Sequence, residues 1–221
     1  MFRRLLKLVL PLINFLVRQN RIEEVESLRS FVSSRSSYMA QVSLYGYLKA
    51  RAGTQYVSLI KEPPFASSMK TARNQIFFAC LMDLTLHVLK TIHARKQQNF
   101  QNLDPFARQF FIQTLAKAPE EVFESLEREK VILEFEKHLI RYNWSGTDDY
   151  HESFSGSRSA LLKWAPVVEE FKIQDEEIVS NSIHFKWLRG CQEFENLTDF
   201  EKIRLETDPD IPDLEKEAPE D

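Results

Sequence analysis

Three side chains capable of chemistry lie three and four residues apart within one apolar run: Cys80, Asp83 and His87 in IFFACLMDLTLHVL. On an α-helix these offsets bring all three to one face. Cysteine, aspartate and histidine are all zinc ligands, and a buried carboxylate beside an imidazole shifts the proton affinity of both. Metal binding and acid–base transfer are therefore the available chemistries. The plainer reading is a hydrogen-bonded polar cluster inside a core. No complementary ligand spacing occurs elsewhere in the sequence, so neither a metal nor another cofactor is expected.

A fourth polar residue belongs with these. Arg35 falls on a seam otherwise made of Val25, Leu28, Val32, Met39 and Val42. An arginine in an apolar seam is costly to bury unless an anion partners it, and Asp83 is the only acid within the apolar centre of the next predicted helix. The sequence thus predicts an Arg35–Asp83 ion pair inside a buried polar cluster of Arg35, Asp83, His87 and Cys80. The alternative is that Arg35 faces a cleft and holds an anionic ligand such as a lipid headgroup, with the hydroxyls of Ser34, Ser37 and Tyr38 nearby.

Other catalytic signatures are thin. FSGSRS, around Ser155 and Ser157, is not a G-x-S-x-G elbow and has no strand before it, and closeness of His151 and Asp148 in sequence does not make a triad. Glu134 and His138 read as a surface pair, and His184, near Asn181, as a core or rim histidine. There is no P-loop, dinucleotide-binding glycine turn or zincin motif. Whether the chain is an enzyme is undecided at this level.

The elements that must position these residues are helices. The chain has 221 residues, 43% hydrophobic and 28% charged, and only five glycines, too few turn residues for a many-stranded β fold. Periodicity predicts helices from about 22 to 51, 67 to 96, 105 to 118, 119 to 142, 159 to 173 and 175 to 194, with a long polar loop from Tyr142 to Ser159. The fold class is all-α, an irregular multi-helix bundle with an N-terminal amphipathic helix and a disordered acidic C-terminal tail. Cys80 and Cys191 read as reduced, buried thiols.

Charge divides the chain into three parts. Residues 1–21 carry five basic and no acidic side chains, residues 22–198 carry 21 basic against 23 acidic, and residues 199–221 carry three against ten. These are predicted as a membrane-interface helix, a helical domain, and an acidic tail disordered from about residue 207. A nearly neutral body without a recognition motif argues against nucleic acid. In the opening MFRRLLKLVLPLINFLVRQNR, Arg3, Arg4, Lys7 and Arg18 form one polar stripe, while Leu5, Leu8, Leu12, Phe15 and Leu16 lie on the broad apolar remainder. Ten residues between Lys7 and Arg18 are too few to span a bilayer, which needs roughly 20. Arg18, Gln19, Asn20 and Arg21 supply no small-residue cleavage site. The expectation is a helix lying on anionic lipid at the cytoplasmic face of a membrane; packing on the body or a partner, and an organellar presequence, are the other readings.

SLYGYLKARAGTQYVSL (Ser43 to Leu59), FFACLMDLT (Phe77 to Thr85), and KWAP followed by EIVSNSIHFKW (Lys163 to Trp187) resemble a group of uncharacterised alphaproteobacterial proteins, some labelled esterase. The resemblance implies a bacterial origin, hence the inner membrane, and Arg51, Gly53, Asp83 and Asn181 as shared features; it implies no mechanism. The functional expectation is a membrane-associated helical interaction or assembly module with a protein partner. The alternative is a small hydrolase or lipid-directed enzyme.

Overall fold

The computed structural model describes residues 21–96, 103–118, 125–145 and 153–205. The expected membrane-binding residues Arg3, Arg4, Leu5, Lys7, Leu8, Leu12, Phe15, Leu16 and Arg18 lie outside the described residues, as do Asp148, His151 and the acidic tail from residue 206.

The described chain is all-α. Helix α1 (Val25–Ala52) is followed by a 3-10 turn (Gly53–Gln55), a short α2 (Tyr56–Leu59), α3 (Pro63–Lys96), α4 (Leu103–Ala116), α5 (Ser125–Ile140), α6 (Ser155–Trp164) and α7 (Glu169–Leu197). At the start of α1 the Ser27 hydroxyl accepts the Glu24 amide at 3.2 Å, satisfying a donor the helix itself leaves open. Its end is set by Gly53, which adopts φ 51° and donates its amide to the Lys49 carbonyl; a side chain would be strained there. Pro63 and Pro64 open α3, where a missing amide hydrogen costs nothing.

Helix α3 is the axis of the bundle. One 18-residue window has mean hydropathy 1.4, apolar enough to cross a membrane, yet 78% of it is buried against the rest of the protein. A helix apolar on all sides needs such a surround. Its largest interfaces are with α1 and α6. Phe111 of α4 and Phe135 of α5 stack at 4.0 Å and 8°, joining α5 to the core.

The structure redraws several boundaries, most of all the one between the last two helices. The sequence pattern extends a helix from about 159 to 173; instead α6 begins at Ser155, inside the expected loop, and stops at Trp164. Pro166 is the reason. It forces Ala165 into extended backbone, ψ 130°, so the chain turns and restarts as the longer α7 at Glu169. The body also runs past residue 198, because Ile203 and Leu205 are buried and the Lys96 ammonium donates to the Ile203 carbonyl. Ile22 and Thr198 form an isolated parallel bridge: the Ile22 amide donates to the Leu197 carbonyl and the Asp199 amide to the Ile22 carbonyl, both at 2.9 Å.

Candidate functional site

Phe154 occupies the N-cap of α6 and has no side-chain oxygen with which to cap it. Asp83 of α3 supplies that oxygen from another helix. Its Oδ2 accepts the Ser157 amide at 2.6 Å, placing a carboxyl group where the helix dipole favours negative charge. Gly156 allows this approach, because a Cβ there would lie 2.6 Å from Asp83 Oδ1. The Ser157 hydroxyl, wholly buried, donates to the Phe154 carbonyl at 3.1 Å and accepts the Trp187 indole N–H at 2.9 Å. Phe154 stacks on Trp187 at 4.3 Å, and its ring centroid is 5.2 Å from that of the buried His87. Asp83 and His87 thus both face α6.

In this arrangement the polar groups join three helices. The Ser157 hydroxyl sits among the Phe154 carbonyl, the Trp187 indole N–H and the Asp83 carboxyl, and it is wholly buried. Cys80 is completely buried, and burial, reinforced by the nearby Asp83, pushes its thiol well above the ordinary value. A thiol held protonated is a poor ligand and nucleophile. Among the described residues no group of three or more His, Cys, Asp or Glu is arranged to hold a metal ion.

The expected Arg35–Asp83 pair is not formed. Arg35 is paired with Glu193 of α7 and lies over the rings of Phe31 and Tyr38, 5.7 and 5.4 Å from their centroids. Helical spacing gave the face of α1 on which Arg35 lies, but not which neighbour that face meets. Arg35 sits at the edge of its seam toward α7, half-buried, whereas Asp83 bonds to Ser157 and His87 packs on Phe154.

Burial raises the Asp83 carboxyl to about 7 from 3.8, against the opposing pull of the Ser157 hydrogen bonds and of His138 and Arg158. The folded state therefore holds a proton that the unfolded chain releases between pH 3.8 and about 7, and stability falls as pH rises through that window. The melting temperature is expected to decline from pH 4 to pH 7. Asp83→Asn, which keeps an oxygen for the Ser157 amide, should flatten the decline; an unchanged slope in that variant would assign it to another group.

Two further arrangements join α1 to α7. Asp175 of α7 accepts the Tyr47 hydroxyl at 3.0 Å and both an Nε and an Nη hydrogen bond from Arg51. Arg51 holds the Asp175 carboxyl below its usual range, while burial, followed by the Asp175 hydrogen bond, pushes the Tyr47 hydroxyl up to about 12. The partners are separated by 124 and 128 residues, so no local pattern announces them. The second arrangement is a groove of about 680 Å³ between α1 and α7, within the range of small-molecule pockets. Arg35, Tyr38, Lys186, Arg189 and Glu193 line it together with Met39, Val42 and Leu197. The signal was present in outline: Lys186, Arg189, Glu193 and Asn196 recur at offsets of three and four, a polar stripe along the last helix. Arg35 and Tyr38 thus line a cleft, as the alternative reading of Arg35 anticipated, and that cleft lies away from Asp83.

No family model, curated protein or solved structure matches the chain. Of the residues tied to the resemblance, Arg51 joins the Asp175 network, Gly53 ends α1, Asp83 caps α6, and Asn181 is exposed.

Proposed function

We propose that the protein is a peripheral membrane module, a helical body held at an anionic bilayer surface where it binds a protein partner. The observation that carries this reading is the edge of α7. Phe171, Ile178 and Phe185 recur every seven residues and are 42%, 72% and 69% exposed. At 3.6 residues per turn they fall on one edge together with Arg189, Gln192 and Asn196 of the groove. Exposed aromatic and aliphatic side chains beside basic groups suit an interface where rings enter the acyl boundary and cations meet headgroups.

The geometry of entry supports the same side. Ile22, buried and bonded to Leu197 and Asp199, ties the start of the body to the end of α7 that carries the groove's Asn196 and Leu197. Arg21, the last of the five basic residues among the first 21, directly precedes Ile22 there. A hydrolytic role finds less support, since the serine of FSGSRS that packs inward, Ser157, is wholly buried, with its hydroxyl bonded to Phe154 and Trp187.

Fractionation of the full chain and of a chain lacking residues 1–21 tests the proposal, with high-salt and carbonate washes and a circular-dichroism check of the truncated protein. The full chain should pellet with membranes and the truncated chain remain folded and largely soluble. A full chain that stays soluble, or a truncation that unfolds without changing partition, would overturn the reading.

A further inference from the structure

We infer that the groove between α1 and α7 is a binding site for the phosphate monoester headgroup of a lipid. This deepens the membrane reading and rests on it for the source of the ligand. The charged residues lining the groove are Arg35, Lys186, Arg189 and Glu193, three positive and one negative, for a net charge of +2. A phosphate monoester carries about −1.5 to −2 at neutral pH, a closer match than the single negative charge of a carboxylate or phosphodiester.

The donors are suited to phosphate oxygens. Guanidinium groups present paired N–H bonds, and an ammonium adds a compact point charge. Arg35 is already fixed by Glu193 and by the Phe31 and Tyr38 rings, so holding it costs little additional conformational freedom. Lys186 reaches back along α7 to the Ser182 hydroxyl at 2.6 Å, and burial lowers its ammonium below the ordinary lysine value. An anion in the groove would relieve that cost.

The walls select the rest of the ligand. Val42, Leu197 and Tyr38, the last 54% exposed, also line the groove, and Phe185, 69% exposed, directly precedes Lys186 on α7. A free phosphate ester would leave the Tyr38 and Phe185 rings wet, whereas the glycerol and upper acyl carbons of a lipid would cover them. With the headgroup between α1 and α7, the Phe171–Ile178–Phe185 edge is directed toward the same bilayer.

Flotation of the full chain separates the possibilities, using vesicles of phosphatidylcholine mixed with phosphatidic acid or with phosphatidylserine, matched for surface charge. Binding to the phosphatidic acid vesicles should be about tenfold tighter, the equivalent of one charge-assisted hydrogen bond. Lys186→Gln with Arg189→Gln should abolish the preference, while Lys186→Arg with Arg189→Lys should retain it. Equal binding to both vesicles, or a preference that survives the glutamine pair, would overturn the site and leave membrane association standing. If the chain floats with neither vesicle, the membrane reading falls, and titration with glycerol 3-phosphate decides the site. Saturable binding lost in the glutamine pair would keep a phosphate site with a soluble occupant; no binding would overturn it.

Discussion

Trp187→Ala should lower the unfolding free energy by about 3–5 kcal/mol, the range for deleting a fully enclosed large aromatic. Trp187 is 1% exposed, stacked on Phe154 with 17° between ring planes, and its indole N–H is bonded to Ser157. Truncation removes apolar burial, ring contact and a hydrogen bond together, and leaves a hole at the junction of α6 and α7. For a chain of this size each kcal/mol corresponds to roughly 2–4 °C of melting temperature, so a fall of about 10 °C is expected. Trp187→Phe keeps a ring on Phe154 and gives up the N–H; its cost should be nearer 1–2 kcal/mol. Urea titration of the two variants measures both. A loss below 1 kcal/mol for the alanine variant would mean that the junction of α6 and α7 contributes little to the core.

Gly156→Ala should destabilise by about 1–3 kcal/mol, the cost of overfilling a packed site. In an unencumbered helix the same change is stabilising by about 0.5–1 kcal/mol, so the sign itself is diagnostic. The conflict is local: the new methyl would stand 2.6 Å from Asp83 Oδ1 and 3.3 Å from its Cγ and Oδ2. Asp83 is short and holds the Ser157 amide, so it cannot swing away without uncapping α6. In an Asp83→Ala background the methyl has room, and the penalty for Gly156→Ala should largely vanish. A double-mutant cycle reads this coupling directly. Additive effects would show that the glycine is not there for the carboxylate.

The all-α class and the central place of α3 were legible because both follow from local pattern: few glycines, long stretches without proline and an apolar surface around a whole helix. Cys80, Asp83 and His87 were legible as a set for the same reason, since offsets of three and four fix a face. What could not be read was the partner of that face. Asp83 meets the backbone of α6, an interaction made by an amide that every residue except proline possesses, and so it leaves no mark in residue type beyond the adjacent glycine. Arg35 was assigned an anion correctly in kind and wrongly in identity, because Glu193 lies 158 residues away on a helix whose packing neighbour is not encoded in its own periodicity. Pro166 was a readable stop that the periodic pattern on either side of it obscured.

The hydrogen-bonded pairing of Ile22 with Leu197 and Asp199 gives the body a closed path. Among the described residues, the start of α1 and the end of α7 meet at one pole. A load applied through Arg21 is thereby passed directly to the Leu197–Asp199 backbone, and not along the length of α1.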